Sequence, residues 1–207
     1  MNKSANQFGV VGITTITLVL LAICILTLVS AGCSKDSTDK AEEANKARIE
    51  GQASAISNEA KDDAVKMADK MVSLASMNMT VRQLSEEATR RAVNPSVKDY
   101  AQRVLREGDT HDRELTNLAK TLKIDLPASL SNEGQDRVTE LKKEKPGTAF
   151  DLKYLDELNK VVKKAANTAD DLKDDATNDA VKKYAAAVNA AYEKRTDETK
   201  DLKNVLN

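Results

Sequence analysis

Residues 97–127 read VKDYAQRVLREGDTHDRELTNLAKTLKIDLP. Val97, Tyr100, Ala101, Val104, Leu105, His111, Leu115, Leu118, Ala119 and Leu122 recur at three- and four-residue spacing, so a helix gathers them on one face. Gly108 sits in the middle of that face. Asn94-Pro95 opens the segment, with Asn94 suited to N-cap and Pro95 to the first helical position, where a missing N–H costs nothing. Pro127 lies in a turn over residues 124–130 that closes it.

The same period extends to both sides. From Asp62, the residues Ala64, Val65, Ala68, Met71, Val72 and Ala75 mark a first body helix. Near residues 76–80 the register slips, and Leu74, Met77, Val81, Leu84, Ala88 and Ala92 continue on a rotated face. That helix is therefore either covered on two sides or bent. Beyond the turn, residues 132–143 predict a shorter helix, ended by Lys145-Pro146-Gly147. Thr148 and Asp151, three residues apart at a helix start, read as a capping box. The helix they open carries Tyr154, Leu155, Leu158, Val161, Val162, Ala165, Ala169 and Leu172. Asn178 caps the last, whose face is Val181, Tyr184, Ala185, Val188, Ala191, Tyr192, Leu202 and Leu206, interrupted by Arg195 and Thr199. The expected fold is all-α, an antiparallel bundle of four long helices plus one short one, over residues 62–207.

Ahead of the bundle, residues 13–33 read ITTITLVLLAICILTLVSAGC, and no charge occurs between Lys3 and Lys35. A basic residue, an apolar core and the small residues Ser30, Ala31 and Gly32 before Cys33 follow the order of a secretory signal. The stretch resembles a bacterial lipoprotein signal, although Ser30 stands where Leu or Val is commoner. The resemblance implies cleavage between Gly32 and Cys33 and a diacylglycerol thioether, with an N-acyl chain, on Cys33. It makes residues 1–32 a signal peptide and places the mature protein in the bacterial cell envelope, anchored to membrane through lipid. In a diderm host, Ser34 after the cysteine favours the outer membrane facing the periplasm. The alternative is an uncleaved transmembrane helix, since about 20 uncharged residues cross a bilayer. Residues 34–61 are polar and mixed in charge, without a sustained apolar stripe, so residues 33–61 are expected as a lipidated N-terminus and flexible tether.

Composition narrows the function. The chain has 207 residues with 32 basic and 33 acidic side chains, and loss of the leader removes Lys3 alone among the charges. This balance lacks the basic footprint of a nucleic-acid binder. With four tyrosines, two phenylalanines and no tryptophan, stacking platforms for bases or sugars have little to be made from.

Residues 97–127 also resemble the second-helix signature of the bacterial domain-of-unknown-function family numbered four-one-four-two, and FDLKYLDEL from Phe150 resembles its next signature. The resemblance implies a ferritin-like bundle in exported or lipid-anchored proteins and no established activity. Members often carry inward histidines on three helices. The corresponding positions here are Gly108, Val162 and Arg195, and the family's acidic positions fall near Val81 and Gln83.

His111 is the sole histidine, flanked on its helix face by Glu107 and Glu114. One imidazole and two carboxylates are the only metal candidates, and they lack the paired Glu-x-x-His spacing of di-iron bundles. The expectation is no metal, with His111 and Arg195 as structural polar residues. No serine shows a base and an orienting partner, and Cys33 is the only mature cysteine, so no catalytic residue is assigned. Asp170-Asp171 and Asp174-Asp175 read as solvated helix ends rather than calcium loops. A lipid-anchored binding, structural or stress-related module without cofactor is favoured. The alternative is a ferritin-like metal-binding protein or oxidoreductase. Expected partners are the membrane and an envelope protein or a second copy, the latter through a first helix rich in Met67, Met71, Met77 and Met79.

Overall fold

The computed structural model describes residues 35–52 and 56–206. Among the described residues, six helices follow in order: α1 (Ser37–Glu50), α2 (Asn58–Arg91), α3 (Pro95–Leu122), α4 (Asn132–Lys143), α5 (Thr148–Asp175) and α6 (Asp179–Leu206). The segment expected as a signal, with Gly32 and Cys33, lies outside the described residues. Among those described, no helix is long and apolar enough to cross a membrane.

Short links make two antiparallel hairpins, α2 with α3 and α5 with α6, and the hairpins pack through α2 against α5 and α3 against α6. Contacts fix the directions. Ser85 meets Tyr154 and Lys70 meets Asp175, so α2 and α5 run antiparallel. Arg103 meets Glu198 while Leu118 faces Ala180 and Ala187, so α3 and α6 also run antiparallel. The core is aliphatic, built from Met71, Leu74 and Leu84 of α2, Leu115 of α3, Phe150, Leu155, Leu158 and Val162 of α5 and Val188 of α6.

The register slip in α2 has its cause in double coverage. The helix is continuous, and no residue from 67 to 89 is exposed. One side faces the four-helix core, while α1 and α4 pack on the other. At the α4 contact the backbones come close: a Cβ added to Gly134 would meet Thr80 Oγ1 at 2.4 Å.

Three expectations are corrected. The first is the flexible tether over residues 33–61, because residues 37–50 form α1 and α2 begins at Asn58 rather than Asp62. Ala41, Asn45 and Ile49 of α1 are buried. Asn45 donates to Asp125 O at 2.8 Å and accepts from Asp125 N–H at 2.8 Å, and the Ser37 hydroxyl accepts from Ala128 N–H at 2.8 Å. Asp36 caps α1 and also accepts from Asn132 N–H at 3.0 Å. Polar bonds to a distant loop hold this helix, which is why an apolar stripe was not needed to order it.

The second correction is the capping box. Gly147 is the N-cap of α5 and makes no side-chain cap bond. Asp151 is instead fully buried and accepts from Val93 N–H at 3.2 Å and Asn94 N–H at 2.8 Å, closing the link between α2 and α3. The third concerns Leu118: its place at the centre of the apolar arc of residues 97–122 predicts a core position like that of Leu158, yet it is only partly buried at the α3–α6 seam, whereas Leu158 is fully buried. Leu158→Ala should therefore lower stability by about 2–5 kcal/mol in urea unfolding, and Leu118→Ala by clearly less. Equal losses would mean the seam is as tightly closed as the core.

Candidate functional site

The interior polar groups gather around Arg195 of α6. This side chain is 1% exposed, and its guanidinium lies 5.2 Å from the centroid of the Tyr192 ring. Helix α3 supplies the counter-charge: Glu107 Oε2 lies 3.4 Å from Arg195 Nη2, with the carboxylate 41% exposed. A guanidinium has five N–H donors, and burial without partners costs several kcal/mol. One long bond to a half-exposed carboxylate and a ring face satisfy Arg195 only in part. Its Nε has no hydrogen-bond partner among the described residues.

All four tyrosines of the chain are buried, and Tyr100 and Tyr192 contact Arg195 directly. Tyr100 of α3 donates to Arg195 O at 3.2 Å. Tyr154 of α5 shares a hydrogen bond of 3.1 Å with Ser85 of α2. Tyr192 donates to Asn78 Oδ1, Asn78 donates to Asp112 Oδ1 at 2.8 Å, and Asp112 accepts from Arg82 at 2.7 Å. This chain of bonds runs from the core to the surface between α2 and α3. The Tyr184 hydroxyl is buried without a partner. Burial raises the pKa of every one of these phenols, Tyr192 to about 12 and the others further, so all four remain neutral.

Of the residues singled out in the sequence, the structure brings Arg195 and Glu107 together with His111 nearby and leaves Glu114 exposed and, among the described residues, outside any ion pair. Gly108 and Val162 offer no ligand atom, and Val162 is fully buried among aliphatic side chains. A permanent guanidinium at the centre repels a divalent cation. These residues do not fit a metal centre, and among the described residues no group of three or more His, Cys, Asp or Glu could hold one.

Asn78, Asp112 and Tyr192 were not anticipated as a connected set. The signal available was Asn78 itself, a polar residue inside the register slip where both sides of α2 carry apolar neighbours. A polar group there must find an internal partner.

Several clefts open along the bundle, one of them on the same α3–α6 seam as Arg195 and another on the opposite side of α2. A cleft of about 360 Å³ lies on the α3–α6 seam between Leu118, Tyr184, Ala180 and Ala187, with Glu114 and Lys183 on its rim. A second crevice of about 220 Å³ lies beneath α1 and α4, and its charged residues Glu133, Arg137 and Lys164 pair with one another.

His111 is half-buried with an unpartnered Nδ1. Burial lowers its pKa, the Arg195 charge lowers it further, and Glu114, Asp112 and Glu107 only partly oppose this. A depressed folded pKa favours the neutral ring, so its contribution to stability is complete above the unfolded value of about 6.5 and is lost as pH falls through the folded value. Urea midpoints from about pH 8 to about pH 5 should fall more steeply for the wild type than for His111→Gln. Parallel curves would show that the imidazole is not desolvated.

No curated protein and no solved structure gives a significant match to the chain. Residues 40–202 match the family described as Domain of unknown function (DUF4142). The match begins inside α1 and ends within the last turns of α6, taking in every element that surrounds Arg195. By that match the chain belongs to the DUF4142 family.

Proposed function

We propose that the chain is a lipid-anchored, ferritin-like helical bundle of the cell envelope, acting by binding or structural support rather than by chemistry of its own. The observation that carries the non-catalytic reading is the buried Arg195 guanidinium paired with the half-exposed Glu107. It fills, with a fixed positive charge, the central position where a ferritin-like metalloprotein needs neutral or anionic ligands. The lipoprotein-like residues 30–33 support the anchor, and a thioether-linked diacylglycerol with a third acyl chain exceeds the two signals that stable membrane attachment requires. The balanced charge supports a partner that is a protein, or a second copy, rather than nucleic acid.

Cys33→Ser should abolish incorporation of a labelled fatty acid and leave the precursor uncleaved; labelling equal to that of the wild type defeats the lipid anchor. Separately, elemental mass spectrometry of untagged protein should find iron, manganese, zinc and copper all far below one per chain. Stoichiometric metal that disappears in His111→Ala overturns the non-catalytic reading.

A further inference from the structure

The methionines of α2 offer no surface for self-association: Met71 and Met77 are buried, Met67 and Met79 partly so, and no residue from 67 to 89 is exposed. Open apolar surface occurs instead in the cleft of about 360 Å³ on the α3–α6 seam. The Tyr184 ring and the partly buried Leu118 floor it, and the exposed Ala180 and Ala187 form its α6 wall. Small side chains on that wall let a further helix approach closely. Glu114 on the α3 rim and Lys183 on the α6 rim are both exposed, and among the described residues neither enters an ion pair. Towards the middle of the bundle the order repeats. Glu107 of α3 is half-exposed beside Arg195, and Lys194, the residue before Arg195 on α6, is exposed and reaches Glu198 only at 3.8 Å. At both levels α3 borders the seam with a carboxylate and α6 with a lysine.

We propose that this cleft is the contact through which two copies of the chain associate, about a two-fold axis parallel to α3 and α6. Such an axis, running along the seam, sets α3 of one copy on α6 of the other and preserves helix direction. Because α3 and α6 are antiparallel within the chain, each new contact is antiparallel as well, and the four helices complete a second bundle. Glu114 of one copy then faces Lys183 of the other, and the symmetry forms the reciprocal pair. Glu107 and Lys194 meet in the same way one level along, while Leu118 and Tyr184, at the seam itself, meet their own counterparts. A partner must bring cations over α3 and carboxylates over α6, and the chain presents that pattern to itself. At the other end of the seam Asp99 and Asp201 line one crevice with like charge, so contact is confined to the half that holds the cleft. An interface of that extent belongs to the small, transient class, under about 1,200 Å² in total. This inference deepens the binding reading above by naming the partner as a second copy, and it does not depend on lipid attachment.

The test is sedimentation equilibrium of the full chain in density-matched detergent, with micelles in large excess so that two copies share one only by associating. The wild type should show a reversible monomer–dimer equilibrium. Glu114→Lys and Lys183→Glu change exposed side chains, and the thermal midpoint checks that each variant stays folded. Either one alone turns both symmetric contacts into repulsions and should raise the dimer Kd roughly tenfold or more. An equimolar mixture of the two should dimerise as the wild type does: the reversed charge at 114 in one copy faces the reversed charge at 183 in the other, and the second contact keeps the original pair. Ala187→Arg, a bulky cation in the middle of the contact, should block association. A wild-type chain that stays monomeric overturns the proposal and leaves the seam to a different protein. A dimer that the charge reversals do not weaken, or that mixing does not restore, overturns it too. Fatty-acid labelling through Cys33 and metal content are unaffected by any of these results, which separates failure of this contact from failure of the anchored, non-catalytic reading.

Discussion

The architecture depends on a helix with no solvent face. From residue 67 to residue 89 every position of α2 is at least partly covered, which requires neighbours all round. α3 and α5 cover the core side, and α1 and α4 cover the other. Close approach then dictates small or polar residues where backbones meet: Gly134 lies against Thr80, and Thr38 bonds Ser76 at 3.2 Å. The two additional helices are thus not ornaments on a four-helix bundle. Without them a row containing Met77 and Met79 would lie open to water, at a cost of about 25 cal/mol per Å² of apolar surface.

The second constraint is charge in the interior, and it is handled differently at different depths. Glu157 of α5 is buried but surrounded by cations, with Arg137 at 2.7 Å, Lys160 at 2.8 Å and Lys153 at 3.5 Å. Glu87 of α2 likewise meets Arg90 at 2.6 Å, with Arg91 and Lys142 farther away. Both carboxylates lie at the edge of the core, where lysine and arginine stems reach in while their charges stay in water. Arg195 has no such surplus. It is as deep as the aliphatic core and meets one carboxylate, one aromatic face and no ligand for Nε. An interior cation left short of partners is the least stabilising of these arrangements, and that imbalance distinguishes the α3–α6 seam from the rest of the molecule.

How far the sequence discloses this structure depends on whether period or tertiary bonding holds each element. The four long helices are legible because their apolar residues recur with the right spacing and because Pro95, Pro127 and Pro146 fall at boundaries. α1 is not legible in that way. Its buried residues are Ala41, Asn45 and Ile49, one of them an amide, and its order comes from bonds to the loop about 80 residues away. Asp151 shows the same limit at one position: three residues after Thr148 it reads as a local cap, yet its acceptors serve the link at Val93 and Asn94. Arg195 was legible as a break in an apolar face, and its need for a counter-ion followed from electrostatics. That Glu107 is the group in contact, and Glu114 is not, depended on the axial offset of α6 against α3, which no single helix encodes.

That offset explains why a costly cation sits where it does. α3 and α6 share the least extensive packing among neighbouring long helices, so apolar side chains define their relative position weakly. Polar contacts supply the definition instead: Tyr100 to Arg195 O, Arg195 to Glu107, and Arg103 to Glu198 at 2.6 Å all fall within three turns. Sliding α6 by one turn, about 5.4 Å, would break all three and strand the guanidinium among aliphatic neighbours. Aliphatic contacts penalise the same slip less where Ala187 and Ala191, one turn apart on α6, replace one another with little change in shape. A half-buried ion pair that adds little net stability can therefore still fix the register of a helix pair, by making the alternatives worse rather than the native state better.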